Sequence, residues 1–189
     1  MFRPEPRYRA ALIAVTLLVI GASLFAQGGA QPGPWYADRL EKLGFTVFPK
    51  PVAVDDFVAQ ALGGGSVRLS EQRGKIVLLN FWATWCPPCQ AEMPAIEALW
   101  KKAKASSFTV MGISVGEEPS TVKSYVARKG YTYPMFVDPQ GVLGAAFNAR
   151  SIPTTYVIDK NGQVIAGILG GAAYDSAEAA TVFAELAAK

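Results

Sequence analysis

One stretch constrains this chain more than any other: "KIVLLNFWATWCPPCQAEMP", Lys75 to Pro94. An unbroken apolar run of strand-forming residues leads into two cysteines three apart, and a helix-forming segment follows. A run such as Lys75–Ala83 is a strand buried on both faces, the kind found inside a parallel sheet. The following segment turns Met93, Ile96, Leu99 and Trp100 to one side at helical spacing. Strand, tight turn and helix in that order demand a crossover to a second parallel strand, and "FTVMGISV" supplies it. "EEPSTVKSYVARKG" reads as the next helix, with Pro119 near its start and Gly130 after its end. "MFVD" is short and extended, and "GVLGAAFN" is a helical turn or two. "IPTTYVID" and "QVIAGILG" are strands joined through "DKNG", and an alanine-rich helix closes the chain. The pattern predicts an α/β fold in three layers: a mixed sheet with helices on both faces.

Upstream, "DFVAQALGGGSVRLS" reads as a β-hairpin around a glycine turn, an N-terminal extension of the sheet. "WYADRLEKLGF" is a short amphipathic helix that stops at Gly44, and "FPKPVAVDDF" is held extended by its prolines. The first 26 residues differ in kind. Arg3, Arg7 and Arg9 precede Ala10–Ala26, which carries no charge. That is the pattern of an export signal or an N-terminal membrane anchor, and either places the remainder outside the cytoplasmic membrane. The expected organisation is a signal or anchor at 1–26, a linker or extension at 27–51 and the α/β domain at 52–189. Most of the net charge of +3 sits in that arginine-bearing start. No basic stripe is left to point to nucleic acid.

The chain has two cysteines and no histidine. Histidine-dependent nucleophiles, histidine metal sites and C-x-x-C-H haem attachment are therefore excluded. A structural bridge between residues three apart closes a very small loop and gains little. Structural zinc needs four nitrogen or sulfur ligands, and two thiols cannot supply them. Two soft thiolates can hold copper(I), so a non-enzymatic copper carrier stays open. A reactive pair fits best. Cys86 at a helix start faces unpaired N–H groups and the positive end of the helix dipole, which favour thiolate. Cys89, one turn on and more buried, is placed to close a disulfide. Cys86 is then the nucleophile that forms a mixed disulfide, and Cys89 resolves it. No metal or cofactor is required.

"FWATWCPPC" with its preceding strand resembles the thioredoxin superfamily. The longer "GKIVLLNFWATWCPPCQAEMP", together with "SIPTTYVIDKNGQV", is similar to its exported TlpA/ResA branch of thiol–disulfide oxidoreductases. The likeness covers about residues 52–189 and implies a thioredoxin-like fold. It implies that Ile152 and Pro153 form the cis-proline loop beside the cysteines. With Trp85 and Pro87, which flank the nucleophile, they would contact the substrate. Cytoplasmic thioredoxins carry a buried Asp where Asn80 stands here. The TlpA/ResA branch carries instead a Glu three residues after the second cysteine, and Glu92 stands there, on the helix face of Cys89. The resemblance therefore gives Glu92 a part in proton transfer at the thiols. It also implies reduction of disulfides in extracytoplasmic proteins, as in cytochrome c maturation, with a membrane thiol transporter as electron donor. Disulfide oxidase or isomerase work, and a peroxiredoxin-like antioxidant role, are the enzymatic alternatives. The second lacks the Pro and Thr expected ahead of a lone peroxidatic cysteine.

Overall fold

The computed structural model describes residues 33–103 and 107–189. The expected signal or anchor, Ala10–Ala26, lies outside the described residues. The elements in chain order are α1 (Ala37–Lys42), β1 (Thr46–Ala53), β2 (Val58–Ala61), β3 (Ser66–Arg68), β4 (Ile76–Trp82), α2 (Pro87–Ala103), β5 (Phe108–Val115), α3 (Pro119–Lys129), β6 (Met135–Asp138), α4 (Val142–Ala146), β7 (Thr154–Ile158), β8 (Gln163–Leu169) and α5 (Ala177–Ala188). A 3₁₀ turn, Leu69–Gln72, links β3 to β4.

The eight strands form one sheet in the order β1-β8-β7-β4-β5-β6-β2-β3. β4, β5 and β6 run parallel, and every other pairing is antiparallel. All seven residues of β4 are buried, six of them apolar and one, Asn80, polar. Its side chains alternate between the faces. Ile76, Leu78 and Trp82 join a core with Leu40, Met93, Ile96, Val122 and Phe183, from α1, α2, α3 and α5. Val77, Leu79 and Phe81 join a second core with Leu69, Leu143 and Phe147. Helical segments thus cover both faces of a mixed sheet. By the same alternation, Asn80 points to the α2 side, among aliphatic and aromatic neighbours.

Two features were not legible in the sequence. "MFVD" is a sheet strand, parallel to β5, and it carries the N-terminal hairpin through the β2–β6 pairing. The second concerns the boundary at residue 52, which falls inside β1. The compact unit runs from Gly33 to Lys189 and takes in most of the segment expected to be a linker. The reason is edge chemistry. β1 pairs with β8 at Thr46–Val47 and at Val52–Ala53, and its register shifts between the two. Pro49 and Pro51 lie in that gap. Proline cannot donate to a ladder, so it is tolerated on an edge strand at such an irregularity. α1 is tied down separately: Arg39 binds Glu178 and Glu185 of α5.

Candidate active site

The end of β4 delivers the chain to the site. Cys86 N–H bonds back to the Ala83 carbonyl at 3.2 Å, closing a turn that holds Thr84 and Trp85. α2 then begins at Pro87, where the missing N–H of proline costs nothing. Cys86 and Cys89 form a disulfide, with their Cα atoms 5.3 Å apart. Cys89 is fully buried and Cys86 is 3% exposed, so Cys86 is the sulfur nearer the surface. Pro87 and Pro88 offer no backbone donor. The first N–H to reach Cys86 Sγ is that of Cys89, at 3.3 Å.

The loop before β7 lies against this pair. The Ile152–Pro153 bond is cis, and the Ile152 carbonyl oxygen is 3.6 Å from Cys86 Sγ. Gly170 N–H holds the Pro153 carbonyl at 2.8 Å, which fixes the loop to the end of β8. Pro153 is buried and Ile152 half-buried. Trp85 is 66% exposed, in contrast to Trp82, which is buried in the core. Pro87 is exposed beside it. The structure thus brings Cys86, Cys89, Ile152 and Pro153 together and leaves Trp85 and Pro87 open to solvent next to them.

Glu92 is no surface acid. It is 6% exposed, on α2 one turn beyond Cys89. Asn80 Nδ2 donates to Glu92 Oε1 at 2.8 Å and also to Thr155 Oγ1 at 2.9 Å. Glu92 Oε2 has no hydrogen-bond partner among the described residues. Gly171 closes over it: a Cβ built there would stand 3.2 Å from Oε2. Burial disfavours the charged form, and the Asn80 hydrogen bond offsets this only in part, so the Glu92 carboxyl is pushed up from 4.5 to about 7. Burial also raises the Tyr174 phenol, and the Glu92 charge adds to it. This raised acid stands on α2 one helical turn beyond the buried sulfur of Cys89.

The AhpC/TSA family model matches residues 52–166. The thiol-disulfide oxidoreductase ResA of Geobacillus kaustophilus is 39% identical over 135 residues, covering 66% of this chain and 78% of that protein. The chain belongs to the ResA family of thiol–disulfide oxidoreductases. ResA of Halalkalibacterium halodurans extends the likeness to 164 residues at 31% identity, 86% of this chain and 85% of that one. Among solved structures, a thiol:disulfide interchange protein of the thioredoxin family from Chlorobium tepidum matches with a TM-score of 0.64 and 31% identity. It covers 74% of this chain and 98% of its own. A secreted thiol-disulfide isomerase from Corynebacterium glutamicum matches with a TM-score of 0.69 and 25% identity, over 77% and 92%.

In this ResA-family chain, three site features gave no local sequence signal. Thr155, Gly171 and Tyr174 surround Glu92 from β7 and the segment after β8, some 60 to 80 residues along the chain. Asn80 was singled out only as a missing acid, whereas it is the hydrogen-bond partner of the acid that is present. Glu117, after β5, holds Thr84 immediately ahead of the cysteines.

Proposed function

We propose that this chain is an exported electron donor that reduces disulfides in extracytoplasmic proteins, with Cys86 as nucleophile and Cys89 as resolving thiol. The observation that carries the reading is the Cys86–Cys89 pair at the start of α2, against the Ile152–Pro153 loop and one turn from the buried Glu92. Of the two sulfurs, only Cys86 has any exposure, and it receives the Cys89 N–H. Those two facts favour it as the attacking thiolate.

The reaction runs from the reduced dithiol. The Cys86 thiolate attacks one sulfur of the substrate disulfide. A bond forms between them, the substrate S–S bond breaks, and one substrate sulfur leaves as thiolate and takes a proton. Glu92, ionised, accepts the proton of Cys89. The Cys89 thiolate then attacks Cys86 Sγ and releases the second substrate thiolate. Two electrons have passed to the substrate, and the protein is left with the Cys86–Cys89 disulfide. A dithiol of a membrane thiol transporter restores the reduced form by the same exchange in reverse. Trp85, Pro87, Ile152 and Pro153 form the face against which the substrate chain lies. Haem-site cysteines of apocytochrome c are the proposed substrates.

Export rests on Ala10–Ala26 and its arginine-bearing flank. Among the described residues no helix is long and apolar enough to cross a membrane.

Cys89→Ser tests the central assignment. It should accumulate a mixed disulfide with substrate through Cys86, while Cys86→Ser exchanges nothing. Trapping by the Cys86→Ser protein, with turnover retained in Cys89→Ser, would reverse the two roles.

A further inference from the structure

Glu117 lies in the loop between β5 and α3, where the function above gives it no task. It is an acid, yet it is only 8% exposed. Its carboxylate accepts three hydrogen bonds. Thr84 N–H reaches Oε2 at 2.8 Å, Ser114 Oγ reaches Oε2 at 2.6 Å, and Thr84 Oγ1 donates to Oε1. Both oxygens act as acceptors. All three donors are neutral. Among the described residues, no Lys or Arg lies within ion-pair distance of it.

Thr84 is gripped from its other side as well. Gln90 Nε2, from α2, donates to the Thr84 carbonyl at 2.6 Å. The residue two places before the nucleophile is therefore fixed at its N–H, its hydroxyl and its carbonyl. Two residues of chain span at most about 7 Å. The Glu117 carboxylate thus lies within roughly 10 Å of the Cys86 backbone.

We propose that Glu117 is a positioning residue for Cys86, one that clamps the Thr84–Trp85 turn and whose negative charge, held in no ion pair, disfavours the Cys86 thiolate. A like charge nearby destabilises an anion. Strong oxidants among such proteins owe their strength to a stabilised reduced form. A fixed anion at this corner works the other way and makes the dithiol a better electron donor. The titratable and charged groups around it are Tyr125 of α3, whose phenol is raised by burial, lowered by Arg128 and raised by Glu117, and Arg128 itself, 6.0 Å from the Tyr125 ring; Arg150, ahead of Pro153, is exposed. The proposal rests on Cys86 being the nucleophile, and its test keeps the two ideas apart.

Glu117→Gln removes the charge and can keep the clamp. Its amide oxygen accepts from Thr84 N–H and Ser114, and its NH₂ donates to Thr84 Oγ1. Glu117→Ala removes both. The reduced full chain is alkylated with iodoacetamide across a pH series, and the labelled cysteine is located by peptide mapping. In Glu117→Gln the midpoint for Cys86 labelling should fall by about one pH unit, with the melting temperature unchanged. A one-unit fall stabilises the thiolate tenfold. The reduction potential measured against glutathione, above that midpoint, then rises by about 30 mV. Glu117→Ala should show the same fall in midpoint and, in addition, slower disulfide exchange. An unmoved midpoint in both variants, or a loss of melting temperature with no change in midpoint, makes Glu117 a structural brace and overturns the proposal. Label on Cys89 instead of Cys86 overturns the nucleophile assignment, and this proposal with it.

Discussion

Replacing Glu92 by Gln is the sharpest perturbation that the site allows, because it changes charge and hardly changes shape. The glutamine oxygen still accepts from Asn80 Nδ2. Burial pushes the Glu92 carboxyl from 4.5 to about 7, so the folded protein holds a proton there that the unfolded chain has released. The sign follows from linkage. Below about pH 4.5 both states carry the proton, and burying Glu92 costs little. Between about 4.5 and 7 the unfolded chain ionises while the folded one does not, and stability falls as pH rises. Above about 7 both are ionised and the loss is complete. At about 1.4 kcal/mol per pH unit the loss is roughly 3 kcal/mol. Glu92→Gln escapes it, since an amide does not titrate. Every other ionisable group is common to the two proteins and cancels in the comparison. Urea unfolding of the oxidised proteins at pH 4.5 and pH 8 is the assay. The stability of Glu92→Gln relative to the parent should rise by roughly 3 kcal/mol between these pH values. The same variant should lose the inflection near pH 7 in its rate of disulfide exchange. Parallel stability curves would show that Glu92 titrates as an ordinary surface acid and would remove the basis for its role as proton acceptor.

Two further outcomes are expected. The reduction potential should lie nearer about −270 mV than about −120 mV, because Pro87 and Pro88 donate nothing to Cys86 Sγ and no histidine is available. Equilibration with glutathione, followed by Trp fluorescence, gives the value, and one above about −160 mV would make the protein an oxidase. The mature protein should fractionate with membranes through Ala10–Ala26; recovery in the soluble exported fraction with a new N-terminus at Gln27 or Gln31 would show cleavage instead.

What the sequence revealed was local in origin. β4 was legible because six of its seven consecutive buried residues are apolar, and the reactive pair because its spacing matches one helical turn. The hairpin β2–β3 was legible from its glycines. What escaped was set by pairing partners. β6 has four residues, too few to show a period, and it is a strand only because β5 lies on one side and β2 on the other. β1 was read as an extended stretch running out of a linker, not as a sheet strand, because its two prolines cannot donate to a ladder; only an edge position with a register shift accommodates them. Glu92 is a different case. The resemblance to the TlpA/ResA branch marked it as a candidate, but a position three residues after Cys89 also suits a solvated acid. Burial by Gly171, Tyr174 and Asn80 decides between the two, and none of these is near it in sequence.

The Asn80–Glu92 pair also changes what a missing acid means. From the sequence, Asn80 marks the loss of a buried carboxyl beneath the cysteines. In the fold the carboxyl is still there, supplied by α2 rather than by β4, and Asn80 donates to it at 2.8 Å. The two positions hold an amide and an acid in contact, and the acid can in principle stand on either side. Asn80→Asp alone should therefore be harmful. It replaces the donor with a second acid, and two carboxyls at this separation cannot both ionise cheaply. Combined with Glu92→Gln, the same change reverses the pair: the strand now carries the acid, and the helix carries an amide that donates to it. The double variant should regain an inflection in the pH–rate profile of disulfide exchange that Glu92→Gln lacks, and should be more stable at pH 8 than Asn80→Asp alone. If instead the double variant stays as slow as Glu92→Gln at every pH, the acid must stand on α2, one turn from Cys89, and the site requires Glu92 itself rather than any buried carboxyl beneath the pair.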